Sequence, residues 1–239
     1  MAAVEDAMWY YRALHRHVQR VLVKRLPAGA AVLDAGCGTG GLLRRLRVAR
    51  PGWRLTGLDA SPVACELARS RAGVEVVQGS VDALPFGDGS FAAVISCDVL
   101  CQVNDPAAAL AEFRRVLRPG GIVVLTMPSY PWLFSYHDRQ VGNVRRSTLG
   151  EVRAWLGAAG LPPSGEPGTY WNSLPLPLAV LRRKVIPPRS PESDVRLYPA
   201  PLEAMFKAMM AIEHAWLAAG GRLPLGSSLL AVGRKPVRA

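Results

Sequence analysis

The chain has 239 residues, half of them hydrophobic, with 29 Lys+Arg against 18 Asp+Glu and a formal net charge of +11. That apolar content excludes a disordered chain and allows a full core, while no run approaches the roughly 18 consecutive apolar residues of a membrane span. The N-terminus carries Glu5 and Asp6 and no apolar run before a small-residue cleavage site, so a cytoplasmic protein without a secretory leader is expected.

Residues 3–26 read as an amphipathic helix carrying Tyr10, Leu14, Val18, Val21 and Leu22, ended by Pro27 and Gly29. From Ala30 the pattern changes to short apolar runs, Ala31–Leu33, Leu55–Leu58, Val74–Val77, Ala93–Ser96 and Ile122–Thr126. Helical stretches near 40–49, 62–71 and 106–117 separate them. Strands alternating with helices predict a parallel sheet covered on both faces, and runs apolar at almost every position suit strands buried on both sides. Past Pro128 the rhythm breaks. A helix from about Thr148 to Ala159 ends at Gly160, and a short strand follows at about Gly168–Trp171. Ten of the 20 prolines fall within 162–201, which excludes long regular elements there. A helix over about 201–219 places Leu202, Met205, Phe206, Met209, Ile212 and Trp216 on one face, and Ser228–Gly233 reads as the last strand.

The four cysteines, Cys37, Cys65, Cys97 and Cys101, form no CxxC pair and have no flanking histidine, so they read as free thiols and no metal site is expected. The positive charge would suit an anionic partner such as nucleic acid. It comes mostly from scattered arginines, with no long basic run.

The strongest local signal is Val32-Leu33-Asp34-Ala35-Gly36-Cys37-Gly38-Thr39-Gly40. An apolar strand ends in an acid, and alternate glycines lead into a helix. Such a bend lets a ligand approach the backbone without Cβ obstruction, and the helix start offers free N–H groups. Asp59 ends the second strand, nineteen residues beyond Gly40, where an acid is placed to bond both ribose hydroxyls of a nucleoside. Gly36, Gly38 and Gly41 also satisfy GxGxxG, the dinucleotide fingerprint. Against that reading, Asp34 would stand near a pyrophosphate and repel it; a ligand with an ammonium and a sulfonium suits it better.

In these residues the chain resembles the class I S-adenosylmethionine-dependent methyltransferases, especially bacterial members. The resemblance extends through Gln78-Gly79-Ser80-Val81-Asp82-Ala83-Leu84-Pro85-Phe86, through Phe91–Val103, and through Val116-Leu117-Arg118-Pro119-Gly120-Gly121, covering 30–127 in order. It implies an α/β, Rossmann-like, doubly wound sheet of seven strands, the last antiparallel, with an N-terminal helix and a helical lid insert. The division expected is 1–29 capping helix, 30–171 cofactor-binding core, 172–226 lid, and 227–239 final strand and tail. S-adenosylmethionine is the implied cofactor. Asp34, Gly36, Cys37, Gly38 and Gly40 would hold its methionine part, Asp59, Ala60 and Ser61 its ribose, and Ser80 and Val81 its adenine, with Cys97 alongside. The family often has Asp where Ser80 stands, Asp where Ala92 stands, and His where Gln102 stands. Trp9-Tyr10-Tyr11 resembles an aromatic triplet whose helix caps the cofactor in some members; Tyr11 is the candidate contact, or these rings simply pack the helix.

The acceptor residues are sought after strand five, in Ser129–Arg139 and beyond. His137 is the candidate general base near neutral pH, or a structural histidine. Tyr136, Arg145, Arg146 and Trp171 are the candidate acceptor contacts, the arginines as a clamp for a carboxylate or phosphate or as a solvated face. The lid is apolar and aromatic, which implies a small hydrophobic or lipid-like acceptor; contact with a membrane surface through Leu174–Lys184 is a further reading. Two alternatives stand beside it. Nucleic-acid methylation lacks the Asn/Asp-Pro-Pro-aromatic signature at Ser96-Cys97-Asp98-Val99, and a non-catalytic cofactor-binding partner protein would more naturally have lost the acids at 34 and 59. The sequence carries no signal for oligomeric state.

Overall fold

The structure, a computed structural model, describes residues 2–163, 168–187 and 193–237, with residues 2 and 3 as backbone only. The expected lid therefore includes 188–192, and the expected tail 238 and 239, which lie outside the described residues. The single N-terminal helix of the sequence reading is two, α1 (Ala2–Ala7) and α2 (Trp9–Arg25), divided at Met8, whose ψ of 133° is extended. The break has a tertiary cause: the first N–H of α2, on Trp9, donates to Glu203 Oε2 at 3.2 Å.

The elements then run β1 (Ala31–Ala35), α3 (Gly41–Ala49), β2 (Arg54–Asp59), α4 (Pro62–Ala72), β3 (Glu75–Gln78), β4 (Phe91–Cys97), α5 (Pro106–Val116), β5 (Leu117–Pro128), a 3-10 turn (Pro131–Leu133), α6 (Tyr136–Gln140), α7 (Leu149–Ala158), β6 (Thr169–Trp171), α8 (Leu176–Val180) continuing into a π turn (Leu181–Val185), α9 (Ala200–Ala218) and β7 (Ser228–Arg234). The seven strands form one sheet in the order β3-β2-β1-β4-β5-β7-β6. β1 to β5 pair in parallel, and β7 runs antiparallel to both β5 and β6. The doubly wound sheet with an antiparallel last strand is as expected. β5 begins earlier than its apolar run: Leu117 already pairs with Phe91, and a register shift absorbs the Arg118-Pro119-Gly120 bend before Ala93 meets Ile122.

Alternating strand residues feed two cores. Val32, Ala93, Ile95, Ile122 and Val124 meet α2, α3, α4 and α9 on one face. Leu33, Ala35, Val94, Val123 and Leu125 meet α5 and α7 on the other. Asp34 shares the first face with Val32 by strand alternation. β2 and β3 lie to one side of β1, and β4 and β5 to the other, so the crevice at the carboxyl ends of β1 and β4 is where a ligand belongs in such a sheet.

The inner face of α9 differs from the amphipathic reading. Its buried residues are Glu203, Met210, Glu213 and Leu217, while Leu202, Ile212 and Trp216 are exposed. The two acids turn inward because backbone donors await them. Glu203 takes the N–H groups of Trp9 and Tyr198, and Glu213 those of Asn172, Ser173 and Leu174 at 2.7–2.8 Å. Glu213→Ala would strand three N–H groups at the start of the lid, each costing about 1–3 kcal/mol if left buried and unpaired. Faster amide hydrogen exchange across 172–180 with little change in β1–β5 is the expected result; uniform loosening of the whole chain would contradict a local role.

Candidate functional site

The glycine bend at the end of β1 is held by its neighbour strand: the N–H groups of Gly36 and Cys37 both donate to Leu58 O, at 2.7 and 2.9 Å. Gly36 sits at φ 88°, and a Cβ there would lie 2.2 Å from Val99 Cγ2. Gly38, at φ 52°, faces open space. No other residue serves both positions without strain. Asp59 turns toward the bend, accepting the N–H of Gly38 on Oδ2 and that of Ser61 on Oδ1, each at 2.9 Å. Ala60 and Ser61 are exposed beside it.

Asp34 lies under this bend and is only 2% exposed. Burial pushes its carboxyl up to about 8, Glu5 and Asp59 add to that, and no hydrogen bond among the described residues offsets them. A buried carboxyl among other acids and without a donor is stabilised by a cation and by little else. The site therefore fits a sulfonium or ammonium ligand. Ser80 is exposed at the edge, Val81 is buried among Leu58 and Leu84, and Cys97 is half-buried at the end of β4.

A feature absent from the sequence reading closes the bend on its outer side. Glu5 of α1 bonds Thr39 Oγ1 and Arg71 Nη1, and a Cβ on Gly41 would meet its carboxyl at 2.4 Å. Asp6 pairs with Arg71 at 2.9 Å and Arg44 at 2.7 Å. Helix α1 is thus fastened across the start of α3 by charge. The spacing of Glu5-Asp6 carries no sign of this, because both partners come from later helices.

Next to it is a cavity of about 220 Å³, lined by Tyr10, Tyr11, Asp98, His137, Arg146 and Arg183, with apolar walls from Leu178, Val195 and Phe206. Tyr11 lines this cavity; burial raises its phenol, and the charges of Asp98 and Glu5 add to that. Asp98 follows β4 directly with φ 56°, a strained conformation for a side chain outside glycine. Its carboxylate accepts Tyr10 OH at 2.8 Å and Thr126 Oγ1 at 3.1 Å. Burial raises its carboxyl above the ordinary range, against those two bonds and Arg146. The sequence reading passed over Asp98; a polar residue at the tip of a fully buried strand was the available signal.

His137 lines the cavity, accepts the N–H of Asp194 on Nδ1 at 3.2 Å, and is pulled down to about 4 by burial and Arg183. It is neutral at pH 7. Adjacent Asp138 is fully buried and faces elsewhere, receiving the N–H of Ser135, Asn143 Nδ2 and Arg146 Nε at 2.8–3.0 Å. His137 and Asp138 form no dyad. The two neighbouring arginines also part: Arg146 pairs with Asp138, bonds Ser129 O and lines the cavity, whereas Arg145 bonds the carbonyls of Leu100, Val103 and Asn104 away from it. Tyr136 donates to Asp194 at 3.1 Å from behind the lining. Trp171 is fully buried, its ring tilted by 30° against that of Tyr10 at 5.0 Å, supporting the wall rather than forming it.

An alternating α/β sheet with an acid-flanked glycine bend at its switch point and an adjoining cavity suits a nucleoside cofactor. Residues 33–125 match the methyltransferase domain family. The chain is 41% identical over 153 residues to an uncharacterised 37.1 kDa protein in transposon TN4556 of Streptomyces fradiae, covering 59% of this chain and 44% of that one. It is 32% identical over 138 residues to a ubiquinone/menaquinone biosynthesis C-methyltransferase of Hahella chejuensis, covering 52% and 55%. The matches thus span about half the length of these relatives. Among solved structures, a chain of the complex between the Haloferax volcanii Trm112 methyltransferase activator and a methyltransferase superposes with a TM-score of 0.63 at 25% identity, over 98% of this chain and 93% of that one. The stretch that matches the methyltransferase domain family, residues 33–125, holds the glycine bend and both acids, and S-adenosylmethionine suits the acids at 34 and 59.

Proposed function

We propose that this protein transfers a methyl group from S-adenosylmethionine to a small, largely apolar acceptor that also bears an anionic group. The observation that carries the reading is the buried Asp34, without a hydrogen-bond partner among the described residues, beneath an open glycine bend, together with the partly apolar cavity that Tyr10, Tyr11 and Asp98 line. When bound, the cofactor supplies an electrophilic methyl on a positively charged sulfur. Asp34 offsets that charge, and Asp59 accepts from the ribose hydroxyls once its bonds to the loop amides are shared. Gly36, Cys37, Gly38, Gly40 and Cys97 surround the methionine part; Ala60, Ser61, Ser80 and Val81 border the nucleoside.

Methyl displacement needs positioning and water exclusion more than acid–base help. A base is required only where the acceptor atom gives up a proton. Asp98 suits that task better than His137. Burial raises its carboxyl above the ordinary range and it lies at the tip of β4, while the imidazole is a weakened base held by Asp194. The apolar wall supports a hydrophobic acceptor. Arg182 and Arg183 share the one carboxylate of Asp194, leaving guanidinium donors at the cavity's lid end for a carboxylate or phosphate.

Labelled methyl transfer to fractions of cell extract tests the reading, and incorporation into an organic-extractable, acidic fraction is the expected result. With that acceptor, Asp98→Asn should lower kcat by about 10²–10⁴ and flatten its pH profile, and His137→Gln should change it by less than tenfold. Cofactor binding without transfer to any fraction would favour the non-catalytic alternative; incorporation into RNA or DNA would favour the nucleic-acid one.

A further inference from the structure

Most of the large hydrophobic side chains that stand exposed among the described residues belong to 172–226, under a quarter of the chain. They are ordered. Leu174, Leu178, Leu181 and Val185 recur at helical spacing along α8 and its continuation, with Ile186 beyond, and are 43–66% exposed. Leu202, Ile212 and Trp216 stand outward on α9, beside exposed Ala208, Ala211 and Ala215, and Lys207 is the one charged side chain exposed on that helix. α9 thus inverts the usual surface helix: its acids face inward and its outer side is apolar.

The charges of this stretch are sorted in the same way. Its described acids, Asp194, Glu203 and Glu213, are all buried. Asp194 takes Arg182, Arg183 and Tyr136, and the two glutamates take main-chain N–H groups. Its exposed charges among the described residues, Lys184, Arg196, Lys207 and Arg222, are all basic. Lys184 donates to the Phe134 carbonyl and Arg196 lies over the Tyr198 ring, contacts that leave both charges in place; Lys207 lies 3.6 Å from Glu203. An outer surface of apolar and basic side chains, with no exposed carboxylate among the described residues, suits a boundary that is negative on top and apolar beneath.

We infer that 172–226 docks on the surface of a bilayer containing anionic lipid, its apolar stripes entering the headgroup region and its basic residues meeting the phosphates. Tryptophan is favoured at that boundary, and the cations add attraction within about 10 Å of the charged leaflet. No helix among the described residues is long and apolar enough to cross a membrane, so the chain lies on the surface. A second copy of the chain fits this face less well. A two-fold contact sets one patch against itself, and bases would meet bases with no exposed acid to pair. Leu178, Ala179 and Arg182, with Phe206 of α9, also line the acceptor cavity, so docking brings the bilayer to its rim. Entry of a lipid-like acceptor from the membrane rests on the methyl-transfer reading; the docking does not.

Sedimentation of the full chain with vesicles, in the absence of cofactor, tests the surface, so failure here and failure of methyl transfer are separate results. Binding to mixed phosphatidylglycerol/phosphatidylcholine vesicles is expected, weakened about tenfold or more on pure phosphatidylcholine. A similar loss is expected in the Leu181→Ser/Ile212→Ser and Arg196→Gln/Arg222→Gln variants. Val48→Ser/Val63→Ser, whose exposed valines lie on α3 and α4, should bind as the native chain does. Brominated lipid should quench tryptophan fluorescence in the native chain and far less in Trp216→Phe. Absence of binding, binding indifferent to anionic lipid, or quenching undiminished in Trp216→Phe would overturn the proposal. Undiminished binding in either of the first two variants would do the same, since the net charge of +11 would then suffice without this face. So would a dimer in sedimentation velocity that Leu181→Ser/Ile212→Ser returns to monomer, because a second copy would then cover it. The substituted side chains are all exposed, and matching thermal melts exclude a folding defect.

Discussion

Asp138→Ala is expected to lower the melting temperature by about 6–20 °C. The carboxylate and its partner Arg146 are both essentially fully buried, with Nε 2.8 Å from Oδ1. Removing one member of such a pair leaves an uncompensated buried charge and costs about 3–5 kcal/mol, and each kcal/mol shifts the midpoint by about 2–4 °C in a chain of this size. Asn143 and the N–H of Ser135 lose their acceptor at the same time. The double variant Asp138→Leu/Arg146→Met should recover most of the loss, because what destabilises is the stranded partner rather than the missing attraction. Burial opposes ionisation of Asp138, but Arg146, Asn143 and Ser135 outweigh it and hold the carboxyl below its ordinary value of 3.8. The stability this pair contributes is therefore present above about pH 4 and lost as the pH falls further. A differential scanning series showing the single and double variants equally destabilised would contradict the ion-pair account.

Asp34→Asn should weaken S-adenosylmethionine binding by about 10–100-fold while stabilising the ligand-free protein. The two effects share one origin. The folded carboxyl titrates near 8 and the unfolded one near 3.8, so between those values the native state holds the extra proton and stability declines as pH rises. Asparagine removes that slope, and the ligand-free melting temperature at pH 8 should rise. A cation bound beside Asp34 favours the ionised form, so binding releases a proton and affinity climbs with pH toward about 8. Calorimetry in buffers of different ionisation heat counts the released proton. An affinity independent of pH, or equal in the two proteins, would refute the pairing of Asp34 with the ligand's charge.

The glycine bend and its two acids were legible in the sequence because their reasons are local. Gly36 and Gly38 answer to backbone geometry within a few residues, and Asp59 reaches Gly38 from the adjacent parallel strand. Asp98 was not legible: its role depends on Tyr10, 88 positions away, and on an unusual φ. The adjacent pair Arg145-Arg146 could not be split by composition, since neighbours in an extended segment point opposite ways and only the fold decides which points inward. On α9, periodicity grouped Leu202, Ile212 and Trp216 on one apolar face, yet these are exposed while Glu203 and Glu213 are buried. The basic residues looked scattered because runs were sought, whereas Arg12, Arg16 and Arg20 gather at helical spacing.

The manner in which α9 grips the lid bears on how such a protein diversifies. Glu203 and Glu213 fasten main-chain amides, and every residue but proline offers one at Trp9, Asn172, Ser173, Leu174 and Tyr198. Side chains in the neighbouring stretch, Leu178 and Ala179 among them, can then change shape or polarity without loosening the latch. New acceptors become reachable by substitution in the lining alone, and the two glutamates, remote from any chemistry, are the positions least free to drift.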